Sequence, residues 1–428
     1  MPTSTLFGTN RGIKNPQPFW KKFLTWKLIF VPVVLFALLV VFRVAYHTIN
    51  RYFWSQELGN SLIFHPEQLP ECGDKKVFFT APLMKDGDYR NIVPLGIFGP
   101  QGGHVFPTHH TYFISPATNI EDQEEKDVYS PGDLYITKIE RWTSKTLGYS
   151  DYYIYASPCK DIEVFFFHLN EPSDKILAAF EKTDYCREEQ TGNSQFKWCG
   201  KITEGLKFEA GEFLAKTSPA KKKSIKQFFD FGMSDHRTPE LKFANPKRWV
   251  GDFDKKHMVC PYDYFTPELR QKYLSQMADY DDPSLKRTIE PLCGEYMQDV
   301  SGTAQGVWFK VGADSREEDA QITLAHHNVL AQKGIFSIGT MALPSVEAGA
   351  YPFDPKPQGL INRDFKDIKD DGKTYCFEPS ALTGTYQYPF RIILQMISPT
   401  KLKIEGQKIQ DCGRGPWTLD KDAVEFER

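Results

Sequence analysis

Pro94–Ser115 reads PLGIFGPQGGHVFPTHHTYFIS. Three of the ten histidines, His104, His109 and His110, fall within seven residues of it. Gly99, Pro100, Gly102 and Gly103 lead into them, and glycine admits backbone conformations closed to other residues. The run His110-Thr111-Tyr112-Phe113-Ile114 leads out, with the β-branched and aromatic character of a strand. This pattern predicts a turn that delivers imidazoles to the mouth of a sheet. It makes the stretch the leading candidate for a ligand or chemical site.

Downstream, short runs of the same kind recur: DLYITKIERW, DYYIYAS and IEVFFFHL, with KVFFTAPL and IVPLGIF upstream. Gly, Pro, Asp and Asn punctuate them, as expected of strands joined by turns. From about Gln298 the character returns in GVWFKVG, AQITLAHHNV, IFSIGTMAL, RIILQMIS and TKLKIEGQ. Helix signals are few. SDKILAAFEK has Ser173 as a cap with Ile176, Leu177 and Phe180 on one face, and TPELRQKYLSQMADY has Thr266 as a cap and Pro267 at the first helical position. The expected fold is mainly β: an antiparallel sandwich or barrel over 91–250, a partly helical connector at 251–297 and a second β-rich domain at 298–428.

Ahead of this lies an apolar run. Leu28 to Phe42, LIFVPVVLFALLVVF, carries no charge over fifteen residues, and Val44, Ala45 and Tyr46 extend it past Arg43. A spanning helix needs roughly 17–25 residues. Arg11, Lys14, Lys21, Lys22 and Lys27 precede it without an acidic residue, which keeps the N-terminus on the cytoplasmic side. We therefore expect a cytoplasmic tail at 1–27, a single span through the bilayer at 28–46 and a neck with the first strands at 47–90, with the bulk of the chain extracytoplasmic in the periplasm or at the cell surface. The rival reading, a cleaved signal peptide, lacks a good A-x-A-like site.

The net charge of −3 offers no basic stripe, so nucleic acid is not an expected partner. All eight cysteines follow the apolar run, an even count that suggests disulfides in an oxidising compartment. Nearest-neighbour pairing joins Cys186–Cys199, Cys260–Cys293 and Cys376–Cys412 and leaves Cys72 with Cys159. It is one of roughly a hundred connectivities that eight cysteines allow. No N-x-[ST] sequon occurs, which favours a prokaryotic envelope over a eukaryotic surface.

Five segments stand in a suggestive order: HHTYF (109–113), VYSPGDLYI (128–136), FFFHL (165–169), AGEFLAK (210–216) and FFDFG (228–232). Together they resemble the M23 (lysostaphin/LytM-like) metallopeptidase domain over about residues 94–236. That resemblance implies a β scaffold holding catalytic zinc through a His, an Asp four residues later and the second His of an H-x-H strand. Here Phe113 follows His109 by four and Ile114 follows His110 by four, and Phe229-Asp230-Phe231 stands where H-x-H belongs. The first-ligand His has a counterpart, and His168 matches the family's non-ligand His near the reacting carbonyl. The ectodomain also resembles uncharacterised membrane-anchored envelope proteins, through GHVFPTHHTYF, DFGMSD, PLCGEYMQDVSGTAQGVWF and TKLKIEGQ.

The departures imply an M23-like domain that no longer catalyses, a pseudoenzyme that binds cell-wall polymer, a peptide or a membrane-complex subunit without a cofactor. The alternative is a zinc-dependent peptidoglycan endopeptidase or amidase whose rebuilt site gathers His104, His110, His168 and Asp230, with His110 and His104 as ligands. A purely structural ectodomain is the third reading. His168 is the candidate catalytic residue, and His104, His109, His110, Asp230 and Trp308 are the candidate ligand-binding residues. Trp308 follows the turn-rich SGTAQG and reads either as part of a tight turn or as an exposed platform for a sugar or peptide. His326 and His327 are adjacent on a strand, so they point to opposite faces and do not share one ion.

Overall fold

Alternating side chains build two antiparallel sheets. The computed structural model describes residues 69–428 except 118, 146–147, 192–193, 219–225, 250–253 and 314–317. The tail at 1–27, the apolar run at 28–46, the neck as far as residue 68 and the cluster Lys221–Lys223 lie outside the described residues. Among the described residues no helix is long and apolar enough to cross a membrane.

The first sheet contains β1 (Asn91–Val93), β2 (Thr111–Ile114), β3 (Asp127–Tyr129), β4 (Leu134–Ser144), β5 (Tyr149–Cys159), β6 (Ile162–Asn170), β7 (Tyr185–Thr191), β8 (Ser194–Phe208), β9 (Phe213–Thr217) and β10 (Gln227–Asp235). Its order is β1-β2-β10-β6-β5-β4-β8-β7, and β9 joins β3 to β6. The last of these strands in the chain is thus inserted between β2 and β6. The second sheet contains β11 (Gly306–Lys310), β12 (Ile322–His326), β13 (Gly334–Ile338), β14 (Gly349–Phe353), β15 (Tyr375–Phe377), β16 (Arg391–Ser398), β17 (Lys401–Gln407) and β18 (Val424–Glu427), in the order β14-β13-β12-β11-β18-β17-β16-β15.

On the inner face of the first sheet, Phe113, Ile154, Val164, Phe166, Phe229 and Phe231 are fully buried. Segments before and after the sheet cover them with Phe79, Leu83, Tyr262, Phe265 and Tyr273. Burial of each such side chain contributes about 1.5–3 kcal/mol. The second sheet curls toward a barrel, so that Phe336 of β13 meets Phe377 of β15 with ring centroids 4.9 Å apart.

Both helix signals mark real but shorter helices, α1 (Asp174–Phe180) and α2 (Pro267–Ser275). Ser173 occupies the capping position without a side-chain cap bond, whereas Thr266 accepts from the Leu269 N–H. The pattern past Ser275 does not continue α2. Strand-like pairing takes it instead: Ile92 N–H donates to Gln276 O, and Ala278 N–H donates to Ile92 O.

The four disulfides are Cys72–Cys159, Cys186–Cys199, Cys260–Cys293 and Cys376–Cys412, the nearest-neighbour pairing. Cys186 and Cys199 are direct partners across β7 and β8, which places their sulfurs together.

The two sheets meet at the opening stretch. Glu318, just ahead of β12, accepts from the N–H groups of Val105 and Phe106 at 3.0 and 3.1 Å. Asn328 donates to Pro94 O at 3.0 Å, and Phe106 packs on Phe309 and Trp249. Gly96 adopts φ +85°, and a Cβ there would overlap the backbone carbonyl of Glu295. Gly96→Ala therefore meets both a left-handed strain and an immovable neighbour. It is expected to destabilise the protein by about 2–4 kcal/mol, read from the denaturant midpoint, whereas Gly102→Ala, which has open space around it, leaves the midpoint nearly unchanged.

Candidate functional site

Strand register carries the sequence candidates onto one face. Asp230 pairs with Tyr112 of β2 on one side and with Phe167 of β6 on the other, so these three side chains share a face. His110 stands two residues before Tyr112 and joins the same row. The odd-numbered neighbours Phe229 and Phe231 point the opposite way, into the core.

His168 reaches this face through a defect in the ladder. Tyr152 faces Leu169 and Ile154 faces Phe166, so β6 has one residue more than β5 across that step. The extra residue is accommodated by a bulge, with His168 at φ +61°. A side chain that should have pointed to the core turns outward instead. Sequence alternation could not have shown this, because a bulge changes the parity of every residue beyond it.

The groups form a chain of contacts. His110 Nε2 lies 3.2 Å from Asp230 Oδ2 and 3.2 Å from Tyr112 Oη. His168 Nε2 lies 3.7 Å from the same Asp230 oxygen and 3.4 Å from Tyr153 Oη. Behind it, His168 Nδ1 lies 2.8 Å from Asp151 Oδ2, and Ser218 Oγ donates to Asp151 Oδ1 at 2.7 Å. Asp151 and Asp230 are buried, and the His168 side chain keeps 26% of its surface exposed. Burial, and after it the Asp151 charge, pushes the Tyr153 phenol well above its ordinary range, and burial with Asp230 does the same for Tyr112. Both phenols stay protonated.

Proton positions follow from the partners. His168 gives Nδ1–H to Asp151, which leaves Nε2 as an acceptor for the Tyr153 hydroxyl. His110 gives Nε2–H to Asp230, which leaves Nδ1 buried without a hydrogen-bond partner. Asp151 fixes the ring so that His168 Nε2 faces the Tyr153 hydroxyl and Asp230, and the ring's partly exposed edge can anchor a ligand by hydrogen bonding.

Of the four residues proposed to converge, His110, His168 and Asp230 do. His104 lies at the rim. It is exposed, its ring centroid is 6.3 Å from that of His110, and its backbone pairs with Gly99 to close the loop. His109 packs on Phe165 and Tyr296, and burial holds its imidazole well below the ordinary histidine range. As a test for zinc, His110 and His168 both border a single Asp230 oxygen. Among the described residues no group of three or more His, Cys, Asp or Glu side chains is placed to hold a metal ion. The donor set does not fit the ion that the M23 resemblance implies.

Trp308 is a correction. It is fully buried, donates Nε1–H to Ala304 O at 2.8 Å and lies 4.1 Å beneath the Arg428 guanidinium, so it has no face to offer a sugar or peptide. The SGTAQG turn wraps that guanidinium instead, through the carbonyls of Val300, Thr303 and Gln305. The His326–His327 pair splits as expected. His326 Nε2 meets Asp364 at 3.3 Å, and His327 Nδ1 accepts from the N–H groups of Val329 and Leu330.

Asp151, Ser218, Tyr153 and Tyr112 had not been picked out from sequence. The available signal for Asp151 was a carboxylate two residues before Tyr153 in an aromatic strand, on the same face by period-two geometry. Compared with known proteins, the chain matches no family model and no curated sequence.

Two outcomes are expected. Asp151→Ala strands the Ser218 hydroxyl and the His168 Nδ1–H in a buried setting, and should cost about 2–4 kcal/mol of unfolding free energy by chemical denaturation. Burial alone would raise the Asp364 carboxyl, but the hydrogen bond and charge of His326, helped by Lys366, pull it down to about 2. Its contribution is full above the unfolded carboxylate value of about 3.9 and is lost as pH falls through the folded value. Thermal melts between those limits should show wild type losing more stability than Asp364→Asn.

Proposed function

We propose that this protein is a membrane-anchored, extracytoplasmic binding module of the cell envelope, built on an M23-like scaffold that has lost its catalytic ion. One observation carries the reading: the Asp230 carboxylate lies between His110 and His168, 3.2 Å from one imidazole and 3.7 Å from the other. The carboxylate occupies the space between the two imidazoles and takes its hydrogen bond from a side chain of the protein itself. The ligand classes that suit this reading are a cell-wall polymer, a peptide or a subunit of a membrane complex, held at the exposed edge of His168 and the half-buried ring of Tyr153.

The compartment rests on two supports. Four disulfides persist only where thiols are oxidised. The basic tail followed by the apolar run at 28–46 orients the rest of the chain outward.

A second reading keeps zinc and peptidase or amidase chemistry. It is favoured by Asp151 behind His168, because a carboxylate on the far nitrogen commonly orients a metal-ligating imidazole. That reading would need His168, His110 and Asp230 to rearrange, because as they stand they are not placed to hold an ion among the described residues.

Elemental analysis of the full-length protein, paired with co-sedimentation on purified sacculi, separates the two. The binding module should carry no stoichiometric zinc, should sediment with the polymer and should release no soluble fragments. Stoichiometric zinc that disappears in His110→Ala, together with fragment release, would move the assignment to the hydrolase. Failure to sediment would remove cell-wall polymer from the ligand classes.

A further inference from the structure

A separate cavity of about 390 Å³ opens beside the Cys260–Cys293 bridge, away from the histidine cluster. We propose that it binds a small apolar molecule bearing a cationic amine. Its walls are apolar: Leu95, Leu241, Met258, Leu292 and Met297 face the space, with the disulfide along one side. The volume lies in the usual range for small-molecule sites. Two thioethers among the walls let the shape adapt to its occupant.

The polar groups of the lining decide the charge. Glu290 and Glu295 are exposed carboxylates on its margin. Asp263 and Arg270 also line the space but neutralise each other at 2.8 Å. The nearby Arg287 donates to the carbonyls of Pro291 and Asn328, and its charge acts on both Glu290 and Glu295, so the two carboxylates outweigh it by one. The mouth therefore presents net negative charge over an apolar interior. An alcohol of the same shape would gain only the interior, and a carboxylate would be repelled at the margin.

The walls also touch the opening stretch. Leu95 N–H donates to Cys293 O, and the Glu295 carbonyl lies against Gly96. An occupant would thus brace the segment that leads into the histidines. The proposal does not depend on the function assigned to those histidines.

Full-length protein in zwitterionic nanodiscs, with protein-free nanodiscs as the blank, can be titrated with benzylamine, benzyl alcohol and benzoate by ligand-observed NMR. Saturable binding is expected, with benzylamine roughly three- to tenfold tighter than the alcohol and benzoate weakest. Glu290→Gln with Glu295→Gln should erase the preference for the amine while benzyl alcohol still binds, which also reports an intact pocket. Met297→Trp, or Leu292→Trp if the first variant melts early, should abolish binding of all three. Equal binding of benzoate and benzylamine, an amine preference surviving the double variant, or no saturable binding would overturn the proposal.

Discussion

The structure depends on the insertion of β10 between β2 and β6. These strands are distant in sequence, yet their hydrogen bonds place His110, Asp230 and His168 across three adjacent strands. Gln227–Asp235 supplies Phe229 and Phe231 to the core from one face and Asp230 to the outer face from the other. The same ladder thus fixes the hydrophobic centre and the polar row. A shift of one residue would exchange the two faces, burying the carboxylate in the core and exposing two phenylalanines.

The polar row is supported from behind and from the side. Asp151 and Ser218 fix the His168 ring, while Phe165, Phe167 and Tyr153 form a stack beside it with centroid spacings of 4.5 Å. The second sheet adds a constraint through Glu318, whose burial raises its carboxyl despite the two N–H groups it accepts. The loop bearing the histidines is therefore set by contacts from both sheets. Gly103, at φ +87°, makes the turn the composition of this loop called for, while Gly96 meets a tighter demand that only the neighbouring carbonyl reveals.

Much of the β architecture was legible because alternation and turn residues are local properties. The disulfides match nearest-neighbour pairing, but only Cys186–Cys199, 13 residues apart, joins directly paired strands, and Cys72–Cys159 spans 87 residues. The His326–His327 split agrees with strand alternation, although β12 ends at His326. The helix at 267–275 was placed correctly at its capped start but overextended, because β1 recruits its last turn into pairing. The tight turn before Trp308 is present, but the exposed platform is not, since a turn-rich approach says nothing about what folds over the strand that follows.

The amino-acid order by itself determined a mainly β chain, its helix starts and the clustering of imidazoles at a glycine-rich loop. Each depends on residues a short distance apart along the chain. Tertiary structure alone decided that His168 turns outward at a bulge, that Asp230 lies between two imidazoles and that Asp151 stands behind one of them. Those outcomes depend on register between strands separated by tens of residues, and register is a cooperative property of the whole sheet.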